Sequence, residues 1–212
     1  MTTILLIRHG ENEYVAKGRL AGRLPGVHLN DFGKKQAQAI AKSLGQTPIK
    51  AIYSSPLERC IETAQPLAGV LEVDIIPREG LLEIDFGSWQ DKTLKSLRRR
   101  KLWETVQRNP SRMQFPNGET FSNAQMRVTQ EIEALRKLHS PQEIIACFTH
   151  SDVIRLALAY YIGTPLDLFQ RIVVSPASIS TIHLGEMGVQ IFNMNQNLSF
   201  GYQRHEEKPK HA

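Results

Sequence analysis

Short unbroken apolar runs alternate along the chain with longer stretches in which apolar residues recur every three or four positions. Ile4-Leu5-Leu6-Ile7 is the first such run, and four consecutive branched apolar residues read as a strand buried on both faces. Ile49 to Tyr53, Val73 to Ile76 and Glu143 to Phe148 repeat the pattern. Between them, Ala37, Ile40, Ala41 and Leu44 share one face of a helix opened by Asn30 or Asp31 and stopped near Gly45. Leu57 to Leu71 predicts a second helix, with Pro66 kinking it or ending its first half. A long amphipathic helix resumes at Ser122, with Ala124, Val128, Ile132, Leu135 and Leu138 along one side, and Val153 to Ile162 predicts another. Ala177 to Leu184 and Val189 to Met194 alternate as two strands of a hairpin at one side of the sheet.

This order predicts an α/β fold in three layers: a mostly parallel sheet with helices on both faces and right-handed crossovers. Glu11 to Asn30, rich in glycine and poor in any apolar period, reads as a long functional loop. From Asp91 the pattern changes. Leu94, Leu97, Leu102, Trp103 and Val106 form a partial helical stripe before the breakers at Asn109-Pro110 and Pro116-Asn117-Gly118, which predicts a small helical insertion, about 91–121, lying over the sheet. Residues 1–203 read as a single domain, and the charged stretch 204–212 as a disordered tail.

Composition narrows the picture modestly. With 41% hydrophobic residues in a chain of 212, one substantial core is affordable. The net charge of +5 favours anionic partners. Positive residues are scattered, however, apart from Arg98-Arg99-Arg100-Lys101, which reads as a solvated helix face. Neither an aromatic stripe nor zinc-finger spacing accompanies that run, so no nucleic-acid partner is expected. A small phosphorylated molecule accounts for the excess equally well. Cys60 and Cys147 lack metal-binding or redox spacing, which fits a reducing compartment. No stretch is apolar enough for a signal-peptide core or a membrane span, so the expectation is a cytoplasmic protein without a membrane partner. Oligomeric state stays open, a dimer included.

Two of the buried runs end in histidine: Arg8-His9-Gly10 after the first and Thr149-His150-Ser151 after the last parallel strand. Ligands in open α/β sheets bind beyond the carboxyl ends of the strands, and parallel strands bring both histidines to one edge. The second run delivers Ser54 and Ser55 there, with Arg59 one helical turn on, and the loop before the insertion carries Glu83. Two arginines, two histidines and a carboxylate suit a dianionic phosphate, whose oxygens forked guanidiniums bind in pairs. Zinc is the rival reading of paired histidines, but metal sites rarely set arginines against the cation. His28 and His183 read as structural, and Cys60 as a small buried residue.

Leu6-Ile7-Arg8-His9-Gly10-Glu11, the stretch Ser54 to Ala64, the stretch Leu82 to Trp89, and Thr149-His150-Ser151 together resemble the signatures of the histidine phosphatase superfamily, in its phosphoglycerate-mutase-like branch. The resemblance runs from about Thr3 to Gly201. It implies that His9 is a nucleophile forming a phosphohistidine, and that Arg8, Arg59 and His150 hold the phosphoryl oxygens. Glu83 would protonate the leaving group and later accept a proton from water. Asn12, backbone groups near Ala21 and Gly22, and Ser151 are implied as further phosphate or substrate contacts. Neither metal nor other cofactor is implied, because charge neutralisation and positioning by arginines suffice for phosphoryl transfer. Two features depart from the mutases: Val15 stands where they usually carry asparagine, and their Glu-Arg-His-Tyr stretch is missing. The stretch Glu83 to Trp89 looks like the phosphatase side, so the expected activity is hydrolysis of a small phosphorylated metabolite. A phosphomutase and a non-catalytic phosphate-binding module are the alternatives.

Overall fold

The computed structural model describes residues 1–186 and 188–197; the tail assigned to 204–212 lies outside them. In chain order the elements are β1 (Thr2–Arg8), the short α1 (Glu13–Ala16), α2 (Asp31–Leu44), β2 (Ile49–Ser54), α3 (Glu58–Leu71) and β3 (Ile75–Pro77). There follow α4 (Leu94–Leu97), α5 (Lys101–Arg108), α6 (Phe121–Leu138), β4 (Ile144–Thr149), α7 (Ser151–Ile162), β5 (Ile179–Gly185) and β6 (Gly188–Gln196). The strands form one sheet in the order β3-β2-β4-β1-β5-β6. β3, β2, β4 and β1 run parallel, while β5 and β6 close the other side antiparallel.

β1 lies between β4 and β5, which explains its uninterrupted apolar run. Ile4 and Leu6 face a core built with Val128, Ile132 and Leu135 of α6 and Val153, Ile154 and Ala157 of α7. Leu5 and Ile7 face the opposite core, with Ile40 and Ala41 of α2 and Ala64 and Leu67 of α3. Alternate side chains of one strand thus serve two layers.

Several element boundaries differ from the sequence pattern, and three of them have a clear local reason. α3 runs unbroken through Pro66; Cys60, Thr63 and Ala64 before the proline and Leu67 and Ala68 after it are all buried, and that continuous packed face holds the helix across the missing N–H. β3 begins at Ile75, not Val73. Glu72 takes a left-handed conformation and the Val73 N–H closes back on the Ala68 carbonyl, so Val73 is spent on ending the helix. α7 begins at Ser151 because His150, extended, serves as its cap residue, and its carbonyl accepts the Ile154 N–H at 3.0 Å.

The segment after Gly87 forms α4, α5 and a single tight turn, Pro110–Arg112. Its Leu97, Val106, Met113 and Phe115 join Phe86, Trp89, Phe121 and Phe169 in a third apolar cluster. Arg98, Arg99, Arg100 and Lys101 are exposed. Among the described residues no helix is long and apolar enough to cross a membrane.

Candidate active site

β1 pairs with β4 so that Arg8 stands opposite Thr149, and the next residue of each strand is a histidine. The His9 N–H donates to the Thr149 carbonyl at 2.9 Å, and the two rings meet edge to face with centroids 5.3 Å apart. Both are buried, His9 at 4% exposure and His150 at 0%. His9 Nδ1 lies 2.7 Å from the Gly10 carbonyl. A carbonyl only accepts, so Nδ1 carries the proton and Nε2 keeps its lone pair. Burial, then the charges of Arg59 and Arg8, hold the His9 pKa well below that of a free imidazole. The ring is therefore neutral at physiological pH.

Arg59 sits in the first turn of α3, 1% exposed. Its Nη2 donates to the Gly22 carbonyl at 2.7 Å and lies 3.2 Å from His150 Nδ1. His150 Nε2 reaches the Ser55 hydroxyl at 2.9 Å, so Ser55, at the end of β2, orients the second histidine. Arg8 donates from Nη1 to the Val174 carbonyl at 2.8 Å, and Ser151 reaches the same carbonyl at 3.3 Å. Asn12 caps α1, its Oδ1 accepting the Val15 N–H at 2.9 Å. What remains is the informative part. Arg8 Nε, Arg59 Nε and Nη1, and Asn12 Nδ2 are buried with no acceptor. Buried donors without partners are costly, and a tetrahedral anion would satisfy several at once.

Glu83 follows a tight turn at Glu79–Leu81 and is nearly buried. Its Oε1 accepts the Ile84 N–H at 3.0 Å, and Oε2 lies 3.8 Å from His150 Nδ1. Burial pushes its pKa up to about 7, reinforced by the negative charge of Asp152 and opposed by Arg59 and Arg8. A carboxyl group poised near neutrality suits proton transfer in both directions. Asp85, two residues on, instead caps its own turn by accepting the Gly87 N–H at 2.9 Å.

His9, Arg8, Asn12, Ala21, Gly22, Arg59, Glu83 and Ser151 all line one cleft of about 480 Å3, with His150 buried behind it against Arg59. Gly22 takes a positive φ of 57° and turns its carbonyl to Arg59. His28 and His183 find partners elsewhere: His28 pairs with Glu62, and His183 stacks on Phe192. Burial pushes the Cys60 thiol up to about 12, as befits a small buried side chain. Among the described residues, no group of three or more His, Cys, Asp or Glu side chains is arranged to hold a metal ion.

Three features escaped the sequence pattern. Thr63, one turn beyond Arg59, accepts the Gly10 N–H at 2.9 Å. Glu119 accepts from Arg23 and Arg127 at 3.0 Å each, and these arginines also donate to the Glu83 carbonyl, so a three-residue network fixes the loop that carries Glu83. Asp152 and Arg155, on the first turns of α7, line the cleft as an ion pair at 2.9 Å. Thr63 falls inside the stretch Ser54 to Ala64, whereas Glu119 reaches the Glu83 loop only through Arg23 and Arg127.

The sequence profile of the histidine phosphatase superfamily (branch 1) matches residues 4–197. The chain belongs to this superfamily. Phosphoserine phosphatase 1 of Hydrogenobacter thermophilus is 30% identical over 204 residues, covering 95% of either chain. A 2,3-bisphosphoglycerate-dependent phosphoglycerate mutase of Thermoplasma acidophilum is 29% identical over 192 residues, 86% of this chain and 87% of that one. Among solved structures, Bacillus stearothermophilus YhfR superposes with a TM-score of 0.86 at 26% identity, covering 92% of this histidine phosphatase and 98% of YhfR. A phosphoserine phosphatase of Entamoeba histolytica, in complex with phosphoserine, shares the fold with a TM-score of 0.85 at 24% identity, covering 93% of this chain and 98% of its own.

Proposed function

We propose that this histidine phosphatase is a phosphomonoesterase that hydrolyses a small phosphorylated metabolite through a phosphohistidine on His9. The observation that carries the reading is the cluster of buried, acceptorless N–H groups on Arg8, Arg59 and Asn12 beside a neutral imidazole. Such a cluster neutralises and orients a phosphoryl dianion, which is most of what phosphoryl transfer asks of a protein.

In the first step His9 Nε2 forms a bond to phosphorus in line with the departing ester oxygen. Nδ1 keeps its proton on the Gly10 carbonyl, which stabilises the charge that the ring acquires. The P–O ester bond breaks, and Glu83 gives its proton to the alcohol. In the second step water attacks phosphorus, Glu83 takes the proton, and the P–N bond breaks to release inorganic phosphate and neutral His9. Burial, and after it the charges of Arg59 and Arg8, hold the His150 pKa down. An arriving dianion reverses that field, so a proton can join His150 and aim at a phosphoryl oxygen.

The relatives' names span phosphatases and a mutase. The phosphatase reading is favoured by Glu83-Ile84-Asp85-Phe86-Gly87, in place of the stretch the mutases carry. Turnover of an aryl phosphate by wild type and its absence in His9→Ala is the expected result. Equal phosphate release by both would overturn it, and isomer exchange dependent on a bisphosphate primer, without net hydrolysis, would favour the mutase.

A further inference from the structure

The Arg8 guanidinium is aimed by a backbone carbonyl. Its Nη1 donates to the Val174 oxygen, which also takes the Ser151 hydroxyl, so both lone pairs of that oxygen are in use. Val174 opens a short loop, 174–178, that wraps the end of β1. The Ala177 N–H donates to the His9 carbonyl at 3.2 Å, and the Arg8 N–H donates to the Ser178 carbonyl at 3.1 Å. Within the loop the Ser178 N–H closes on the Ser175 carbonyl at 3.1 Å. Ala177 is buried and left-handed, with φ 57°. A residue with a Cβ holds that conformation only where its surroundings impose it. The loop therefore owes its shape to what it is tied to.

One tie comes from outside the cleft. β6 ends the sheet order, and between the pairs Ile179–Gln196 and Thr181–Asn193 the single residue Ser180 of β5 lies opposite both Met194 and Asn195. Such a bulge re-aims a side chain. Asn195 is left-handed there, with φ 56°, and its N–H donates to the Ser180 hydroxyl at 3.1 Å. Its side chain reaches the loop, where Oδ1 accepts the Ser175 N–H at 2.6 Å. Asparagine meets both demands, since it tolerates the left-handed backbone and brings an acceptor. The Ser175 N–H and the Val174 carbonyl belong to one planar peptide unit and point in opposite directions. Holding the N–H therefore fixes the direction of the carbonyl, and an amide whose N–H is bonded is also the better acceptor. We propose, on the basis of the phosphoryl-binding role given to Arg8 above, that Asn195 is a positioning residue. By holding the Val174–Ser175 peptide from β6 it sets the direction of the Arg8 guanidinium, and so couples the last strand of the sheet to the bound anion.

Calorimetric titration of inorganic phosphate into the full chain tests this without turnover. Asn195→Gly accepts the left-handed backbone and removes only the side-chain acceptor. It is expected to weaken phosphate binding about two- to tenfold, the worth of one hydrogen bond. In an Arg8→Gln background the same substitution should have no further effect, because a residue that acts through Arg8 then has nothing left to position. A merely structural role would lower Tm and weaken phosphate alike in both backgrounds. Should Asn195→Gly not fold, Ser180→Ala, which releases the Asn195 N–H from β5, is read by the same criteria. Unchanged phosphate affinity, or an equal loss with and without Arg8→Gln, overturns the inference and leaves the phosphate site intact. Phosphate affinity that Arg8→Gln itself does not alter overturns the role of Arg8 and the inference with it.

Discussion

The backbone N–H of Gly10 donates to the Thr63 hydroxyl at 2.9 Å, and that hydroxyl donates to the Arg59 carbonyl at 2.6 Å. One fully buried side chain thus ties the turn behind His9 to the helical turn that carries Arg59. Thr63→Val keeps the shape and removes the acceptor, which leaves the Gly10 N–H unsatisfied at a cost of about 1–3 kcal/mol. We expect Tm to fall by several degrees and kcat to fall about tenfold or more, since small misplacements of a nucleophile are expensive. Wild-type kinetics in Thr63→Val would show that this tie does not position His9.

Gly33, in the first turn of α2, packs directly on the chain just after His9. A methyl group there would lie 2.0 Å from the Glu11 carbonyl oxygen, so either helix or loop must move. Gly33→Ala is expected to destabilise the protein by about 1–3 kcal/mol and to lower phosphate affinity, because Asn12 follows Glu11 directly. Thermal denaturation with and without phosphate checks both.

As the proposed acid, Glu83 can supply a proton only while it holds one. Its pKa of about 7 makes the single-turnover rate of an alkyl phosphate fall as pH rises through that value. Glu83→Gln should remove this limb and slow an alkyl ester about 100- to 10,000-fold. An ester of an acidic phenol, whose anion leaves without help, should lose far less. Equal losses on both esters would contradict the acid role.

His9 and His150 are held neutral by burial, with pKa values below the 6.5 of the unfolded chain. Below about pH 6.5 the unfolded state therefore binds more protons than the folded one at these two sites, and stability falls as pH falls. Glu83 works in the opposite sense: its folded pKa lies above the ordinary 4.5, so its contribution is complete at low pH and lost between about 4.5 and 7. Two groups outweigh one. Tm should drop between pH 6.5 and 5, and the drop should be shallower in His9→Gln.

The sheet was legible because β1 and β4 are interior strands, and burial on both faces leaves an unmistakable apolar run in each. The convergence of His9 and His150 followed from parallel pairing alone. Pro66 misled because local propensity cannot register packing on either side of it, and Val73 because its apolar side chain says nothing of its N–H. The supports of the site were hardest to read. Glu119 lies 36 positions beyond Glu83, and the long-range contacts that bring them together include the Glu119 N–H on the Asp85 carbonyl at 2.8 Å.

The account rests on a covalent bond between phosphorus and His9. Rapid quenching of wild type with a radiolabelled phosphomonoester, into alkali, followed by peptide mapping, reads that bond directly. We predict a phosphoryl group on His9 that survives alkali, is lost in acid, and is absent from His9→Ala. Steady turnover with no label on His9, or label on a serine or cysteine instead, would contradict the mechanism at its first step.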